Sequence, residues 1–401
     1  MRLTLVNQFY APDISPTAQL AASLAEHRAQ LGDEVTVVAG RAGYLEGLAR
    51  SAQTAAPAGV RVRRVWTPDV GKSTRLRRLA GYVSFLVGSV VRLVTAPRQD
   101  VVVAMTTPPF VVAAAVLHKL RRRDVRVVLW SMDCYPDAAE RFGEIAAGGR
   151  LAKLLRRANR ALFRHVDDVV ALDGAMVDLL RQYATPGHEP RFHVVPNWER
   201  AALFPAPEVG SPRWGGYERL GIADRPVVLY LGNTGVGHRF DTVLDAASLL
   251  GDEAAFLFIG GGARWDELRR AAAARGLRNV RFHDYVPKEE TPAVMAGAAG
   301  ALITLDDRSL GVMSPSKLHS NLAAGLPIVY VGPPGSNVDE AIAQTGCGWS
   351  LRHGDVDGLL RAVRELPRAA AARRAARVAF EERFCDAAAL PRLDAVLEGR
   401  A

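Results

Sequence analysis

The sequence predicts an α/β fold of two domains, each built on a parallel sheet covered on both faces. Three observations carry that prediction. Short apolar runs alternate with longer helical ones along almost the whole chain. The apolar runs end in Gly, Pro, Asn or Asp, the chemistry of strand-to-helix turns. The alternation breaks once, over 196–225, where Pro205, Pro207, Gly210, Pro212, Gly215 and Gly216 interrupt any periodicity, and restarts at Val227. At 401 residues, 49% of them hydrophobic, the chain can bury two cores of ordinary size.

In chain order, strands are expected at 3–6, 34–38, 60–65, 100–105, 125–130, 168–172 and 193–195, with a helix over 17–31 closed by a turn at Gly32-Asp-Glu. After the break, apolar strands begin at Val227, Phe256, Val280 and Ile328. An alanine-rich run from Arg368 to Phe384 has strong helix propensity.

Composition excludes several classes. Cys134, Cys347 and Cys385 are odd in number, widely scattered and without metal-ligand spacing, which implies a reducing, cytoplasmic setting and no zinc site. Met1-Arg-Leu-Thr-Leu-Val-Asn reads as a first buried strand, too short for the apolar region of a signal peptide. No run of about eighteen uninterrupted apolar residues is present to cross a bilayer, so a soluble or peripheral protein is expected.

Lys and Arg number 51 against 42 Asp and Glu, a net charge of +9. Two basic groups stand out, 72–78 and 119–123, and the first leads into the apolar helical run 79–94. Arg75, Arg77 and Arg78 beside that run suit an element resting on anionic lipid or meeting an acceptor. A helix packed on its own sheet with solvated arginines accounts for the same pattern. Nucleic acid is not an expected partner, because no aromatic stacking strand or recognition helix accompanies the charge.

The most telling stretch runs from Ser314-Pro-Ser-Lys-Leu through Gly325-Leu-Pro to Val331. Hydroxyls, a proline suited to a first helical turn and one lysine sit where the amides of a helix start face a phosphate. An ordinary capped helix gives the same residues. Three further strand ends keep it company: Gly232-Asn-Thr-Gly-Val-Gly-His-Arg, the glycines after Phe256-Leu-Phe-Ile, and Val280-Arg-Phe-His-Asp-Tyr-Val-Pro. Together they suit one crevice at the carboxyl edge of a parallel sheet.

Six motifs, in this order and spacing, carry a resemblance: Phe9-Tyr-Ala-Pro-Asp-Ile-Ser-Pro-Thr-Ala, Trp130-Ser-Met-Asp-Cys-Tyr-Pro-Asp, Val194-Val-Pro-Asn-Trp, Leu231-Gly-Asn-Thr-Gly, Pro315-Ser-Lys-Leu and Thr345-Gly-Cys-Gly. The chain resembles the retaining family-four glycosyltransferases of GT-B fold, most closely the bacterial branch that builds surface polysaccharides and lipid-linked sugars. The resemblance implies two Rossmann-like domains facing across a cleft. Residues 1–198 would form the acceptor side, 199–383 would bind the nucleotide-sugar, and 384–401 would return to the first domain. It implies transfer of a sugar, with retention, from a nucleoside diphosphate (UDP favoured over GDP) to a hydroxyl of a lipid-linked or glycan acceptor. No metal or other cofactor is expected, since Asp306-Asp307 are adjacent in a loop and no Asp-x-Asp pair ends a strand.

Carried onto this chain, the family's arginine and lysine after the first glycine become Asn233 and His238-Arg239. Diphosphate charge would then come from Arg239 with Lys317, beside backbone at Gly232 and Gly235. His238 is either a ligand or a locally bonded loop residue. The family's two glutamates are absent, replaced by Val312 and Ser320. Ser320 is therefore the ribose candidate, Ser314 and Ser316 the sugar contacts, and Val286 the main-chain base contact. From the first domain, Thr17 at a helix start would add amides to the diphosphate, or only cap its helix. Asp133 would orient the acceptor hydroxyl, or only form a turn before Tyr135-Pro. The alternatives are decoration of a soluble natural product such as an aminocyclitol, and a GT-B-fold sugar-nucleotide epimerase or non-catalytic binding protein.

Overall fold

Runs of Val, Leu and Ile too short for helices and apolar on both faces can satisfy their backbone only in the interior of a parallel sheet. Such runs form the middle of each sheet, and thirteen strands in all form in the computed structural model, which describes residues 1–13, 15–41, 58–68, 75–204 and 213–401. The predicted breakers Pro205, Pro207, Gly210 and Pro212, the basic Lys72 and the side chain of Arg75 lie outside what is described.

The first sheet holds β1 (Arg2–Val6), β2 (Glu34–Gly40), β3 (Val60–Val65), β4 (Val101–Met105), β5 (Arg126–Trp130), β6 (Asp168–Ala171) and β7 (Arg191–Val194), all parallel in the order β3-β2-β1-β4-β5-β6-β7. Three helices matter below: α1 (Pro16–Gln30), α2 (Arg75–Thr95) and α3 (Val112–Arg121). The second sheet holds β8 (Val227–Asn233), β9 (Ala255–Gly261), β10 (Val280–His283), β11 (Gly300–Thr304), β12 (Ile328–Val331) and β13 (Gly348–Leu351), parallel in the order β10-β9-β8-β11-β12-β13. Its strands alternate between two buried layers. Val227 and Leu229 join Ile303 and Tyr330 on one face, while Val228 and Tyr230 join Phe258 and Val329 on the other.

The chain divides into Met1–Pro196 with Leu390–Ala401, and Asn197–Ala389. The return to the first unit therefore falls at Leu390, not at 384. Phe384 and Cys385 are buried in the core of the second unit, and the backbone of Glu199 pairs with Phe384 and Asp386. The expected break also ends sooner than 225. Trp214, Tyr217 and Ile222 are buried in the same core, with Trp214 Nε1 donating to Glu290 at 2.8 Å.

α2 corrects a second expectation. Arg77–Thr95 is a helix long and apolar enough, by length and composition, to cross a membrane. One of its faces is nonetheless committed to the protein: Phe85, Ser89 and Leu93 are buried, and a Cβ on Gly88 would stand 3.0 Å from Val65.

Candidate functional site

Strand order in the second sheet reverses between β8 and β11, which opens a crevice at their carboxyl ends. The loop leaving β8 fills that position and is held there at every turn. Thr234 N donates to Gly261 O at 2.7 Å, Asp306 N to Gly237 O at 2.9 Å, Ser309 Oγ to Gly237 O at 3.0 Å, and Arg264 Nη1 to His238 O at 2.6 Å. His238 is buried at the centre, its Nδ1 2.6 Å from Thr304 O at the end of β11. Since a carbonyl only accepts, Nδ1 carries the proton and Nε2 is left as an acceptor. Burial, then the charges of Lys317 and Arg264, push the imidazole pKa down to about 3, so the ring is neutral.

That free Nε2 lies 3.5 Å from Lys317 Nζ. The ammonium donates to Asn233 O at 2.9 Å and sits 4.8 Å above the centre of the Tyr230 ring, whose hydroxyl donates to the same carbonyl. Among the described residues no carboxylate pairs with it. Desolvation lowers its pKa to about 8. The lysine reaches this position because glycines make room. Gly232 has φ +120°, and a Cβ there would lie 3.3 Å from Lys317 Cε. Gly260, on the neighbouring strand, leaves no space for a Cβ, which would lie 2.2 Å from Gly232 O.

The remaining donor-side candidates divide. The helix Lys317–Ala323 begins at the lysine itself, so Pro315 precedes the helix instead of occupying its first turn, and Ser316 holds the cap position without a side-chain cap bond. Ser320 Oγ donates back to Lys317 O at 3.4 Å. Ser314 is partly buried and Ser316 exposed in the same segment, while Val312 is fully buried. Val286 follows β10, partly buried against the core, and presents main chain. Gly235 is open, since a methyl added there would meet nothing nearer than 3.8 Å. Arg239 departs most from expectation. Its guanidinium, expected to supply diphosphate charge together with Lys317, pairs with Asp241 at 2.8 Å. Asp306 is likewise taken up by Arg308, at 2.8 Å. The described residues hold no group of three His, Cys, Asp or Glu placed to bind a metal ion.

In the first unit, Ser15 Oγ caps α1 by accepting from Ala18 N at 3.3 Å, Pro16 opens the helix, and Thr17 follows it partly buried in the first turn. Asp133 lies just past β5. Thr106 Oγ1, from the end of β4, accepts from the amides of Met132 at 2.9 Å and Asp133 at 3.1 Å and so fixes that segment. Burial raises the Asp133 carboxyl to about 6, and among the described residues no side chain pairs with it. A carboxyl poised near neutral pH at a strand end suits proton handling or the orientation of a hydroxyl.

Both units match families of known proteins. The glycosyl transferase 4-like domain matches residues 17–198, and the domain called glycosyl transferases group 1 matches 225–368. The chain is a GT-B glycosyltransferase. It is 28% identical to WbjE of Pseudomonas aeruginosa, named as a glycosyltransferase, over 68% of this chain and 67% of that protein. It is 25% identical to WcaI of Escherichia coli (strain K12), named as a colanic acid biosynthesis glycosyl transferase, over 81% of this chain and 82% of that one. Among solved structures, Anabaena Alr3699/HepE in complex with UDP and glucose superposes with a TM-score of 0.71 at 14% identity, over 100% of both chains, a likeness of fold.

Several residues of this glycosyltransferase escape sequence reasoning. Tyr230, Thr304 and Arg264 shape the lysine's surroundings, and Thr106 fixes the Asp133 segment. Tyr230 and Thr304 read as strand residues, and Arg264 as surface charge. Gly260 alone left a trace, in the glycine run that ends β9.

Proposed function

We propose that this glycosyltransferase moves a hexosyl or N-acetylhexosaminyl group from a UDP-sugar to a hydroxyl of a lipid-linked or glycan acceptor, with retention at the anomeric carbon, in bacterial cell-envelope polysaccharide synthesis. One observation carries the donor half: the Lys317 ammonium is held by a carbonyl, an imidazole nitrogen and an aromatic face, with no carboxylate among the described residues to neutralise it. A cation so placed at a switch point is an anion site, and a nucleoside diphosphate is the anion that fits a glycosyltransferase. The UDP and glucose of the HepE complex and the colanic acid of WcaI's name support the rest of the reading.

In the proposed reaction the bond from the sugar's anomeric carbon to the diphosphate oxygen breaks while a bond to the acceptor oxygen forms. Negative charge grows on the leaving diphosphate, where Lys317 and the amides near Ser314 and Ser316 stabilise it. The acceptor's proton passes to the leaving phosphate. Asp133 orients the acceptor hydroxyl, Thr17 supplies first-unit amides, and Ser320 and the Val286 main chain meet ribose and base. Arg239 contributes only by exchanging Asp241 for phosphate. The protein works at the inner face of the membrane, where lipid-linked acceptors are found.

Calorimetric titration with UDP and GDP, without metal, tests the donor half. UDP binds more tightly, and Lys317→Ala weakens it by about 1.5 to 3 kcal/mol, the range for hydrogen bonds to a charged group. Arg239→Ala weakens it less. Equal binding by wild type and Lys317→Ala would remove the lysine from the site, and absence of binding in the folded protein would remove the donor reading.

A further inference from the structure

The apolar run beside the basic cluster is a helix with two apolar faces, and among the described residues only one has a partner. Phe85, Ser89 and Leu93 are buried against the first unit. On the opposite side Leu79, Val83, Val87 and Val91, at successive i, i+4 positions, are 57%, 51%, 56% and 59% exposed. At 1.5 Å per residue this ridge is about 18 Å long. Water-facing branched side chains in such a row are uncommon on a soluble surface, and a contiguous apolar strip of that kind marks a docking face.

Its surroundings decide what docks. Val65 packs against Gly88, and the next residue in the chain, Trp66, is 65% exposed. α3 packs on α2, with the buried His118 Nδ1 against Leu93 O at 2.7 Å, and adds exposed Leu120. Residues 70–123 contain ten Lys or Arg and a single acid, Asp100. Lys119 of these is paired with Asp167 at 2.7 Å, and an apolar ridge in a segment with the remaining basic excess complements anionic lipid. A second copy of the chain would bring like charges together.

We propose that the α2 ridge lies in the plane of an anionic phospholipid surface and seats the acceptor edge of the first unit against it. The helix does not span the bilayer, because its other face is part of the protein core. The ridge starts beside the acceptor edge. A Cβ on Gly81 would stand 3.8 Å from Nε2 of Gln8, just past β1, and Tyr135, two residues past Asp133, feels the charge of Arg78. A polar headgroup-linked glycan leaving the surface near Arg78 thus starts within electrostatic reach of Tyr135, two residues past Asp133. This inference deepens the proposed function by naming where its lipid-linked acceptor is met, and rests on that reading.

Vesicle co-sedimentation with UDP calorimetry in parallel tests it. The full-length protein sediments with vesicles containing phosphatidylglycerol and not with pure phosphatidylcholine, and high salt releases it. The triple variant Val83→Gln, Val87→Gln, Val91→Gln alters only exposed side chains; it stays folded, binds UDP as wild type does, and loses vesicle binding. Neutralising Arg77 and Arg78 with glutamine weakens partitioning by about fivefold for each charge. Wild-type protein that ignores anionic vesicles, or a triple variant that binds them unchanged, overturns the inference. So does a concentration-dependent dimer, without vesicle binding, that the triple variant abolishes. Loss of UDP binding in the wild type is a separate failure, of the donor reading alone.

Discussion

The Lys317 ammonium titrates near the working range of the enzyme, because burial lowers its pKa to about 8. A diphosphate binds the protonated form. Nucleotide affinity is therefore complete below pH 8 and falls as pH rises through it, by up to about tenfold per unit for one linked proton. His238 adds no second inflection, since its pKa of about 3 keeps it neutral throughout. UDP calorimetry across about pH 6.5 to 9.5 checks this, and Lys317→Arg, whose guanidinium does not deprotonate, flattens the profile. A flat wild-type profile would mean that the ammonium does not meet the nucleotide. The lysine is legible in the sequence because its Ser-Pro-Ser-Lys-Leu setting is local. Its contacts with Asn233 O, His238 and the Tyr230 ring are not, because they arise from the parallel pairing of β8 with β11. Arg239 is held by Asp241, two residues on, in a purely local pair.

Two glycines that look alike in the β8 loop have different duties. Gly232, at φ +120°, is in a conformation that costs other residues about 1 to 3 kcal/mol, and it lets the lysine pass at 3.3 Å. Gly235 has no such φ, and its nearest neighbour to an added methyl is 3.8 Å away. Gly232→Ala is therefore expected to lower stability and to weaken UDP binding together, whereas Gly235→Ala changes neither by more than about 0.5 kcal/mol. Thermal unfolding and calorimetry on the pair separate the two. β8, β9 and β12 are legible as apolar runs closed by glycine or proline. β11 is not, because Gly300-Ala-Leu-Ile-Thr continues the alanine-rich composition of the helix before it. β13 is only Gly348-Trp-Ser-Leu, and its pairing with β12 comes from the sheet, not from its own pattern.

The two units do not correspond to two unbroken lengths of chain, and this has consequences for stability. The last twelve positions, Leu390–Ala401, fold with the first unit. They are bound there by buried Leu390, Leu393, Val396 and Leu397 and by charge. Arg28, with its side chain 4% exposed, pairs with Asp33 at 2.5 Å, Asp394 at 2.9 Å and Glu398 at 2.8 Å. Burial works against its charge, but bonds from Glu398, Asp394 and Asp33 raise its pKa above the ordinary arginine value. Arg126 donates to the carbonyls of Val396 at 2.8 Å and Leu397 at 3.0 Å. Removing Arg28 leaves Asp33 with only the amino terminus, at 2.5 Å, and Asp394 with only His27, at 2.7 Å, so the loss falls below the about 3 to 5 kcal/mol of a fully broken buried pair. Arg28→Ala is thus expected to destabilise the first unit, and a chain ending at Ala389 to destabilise it as well. Every proposed donor contact except Thr17 lies in Asn197–Ala389, so UDP affinity should survive in both, measured below the unfolding temperature. Loss of UDP binding in step with the first unit's unfolding would instead mean that the nucleotide depends on that unit, through Thr17 and the α1 amides, as much as on Lys317.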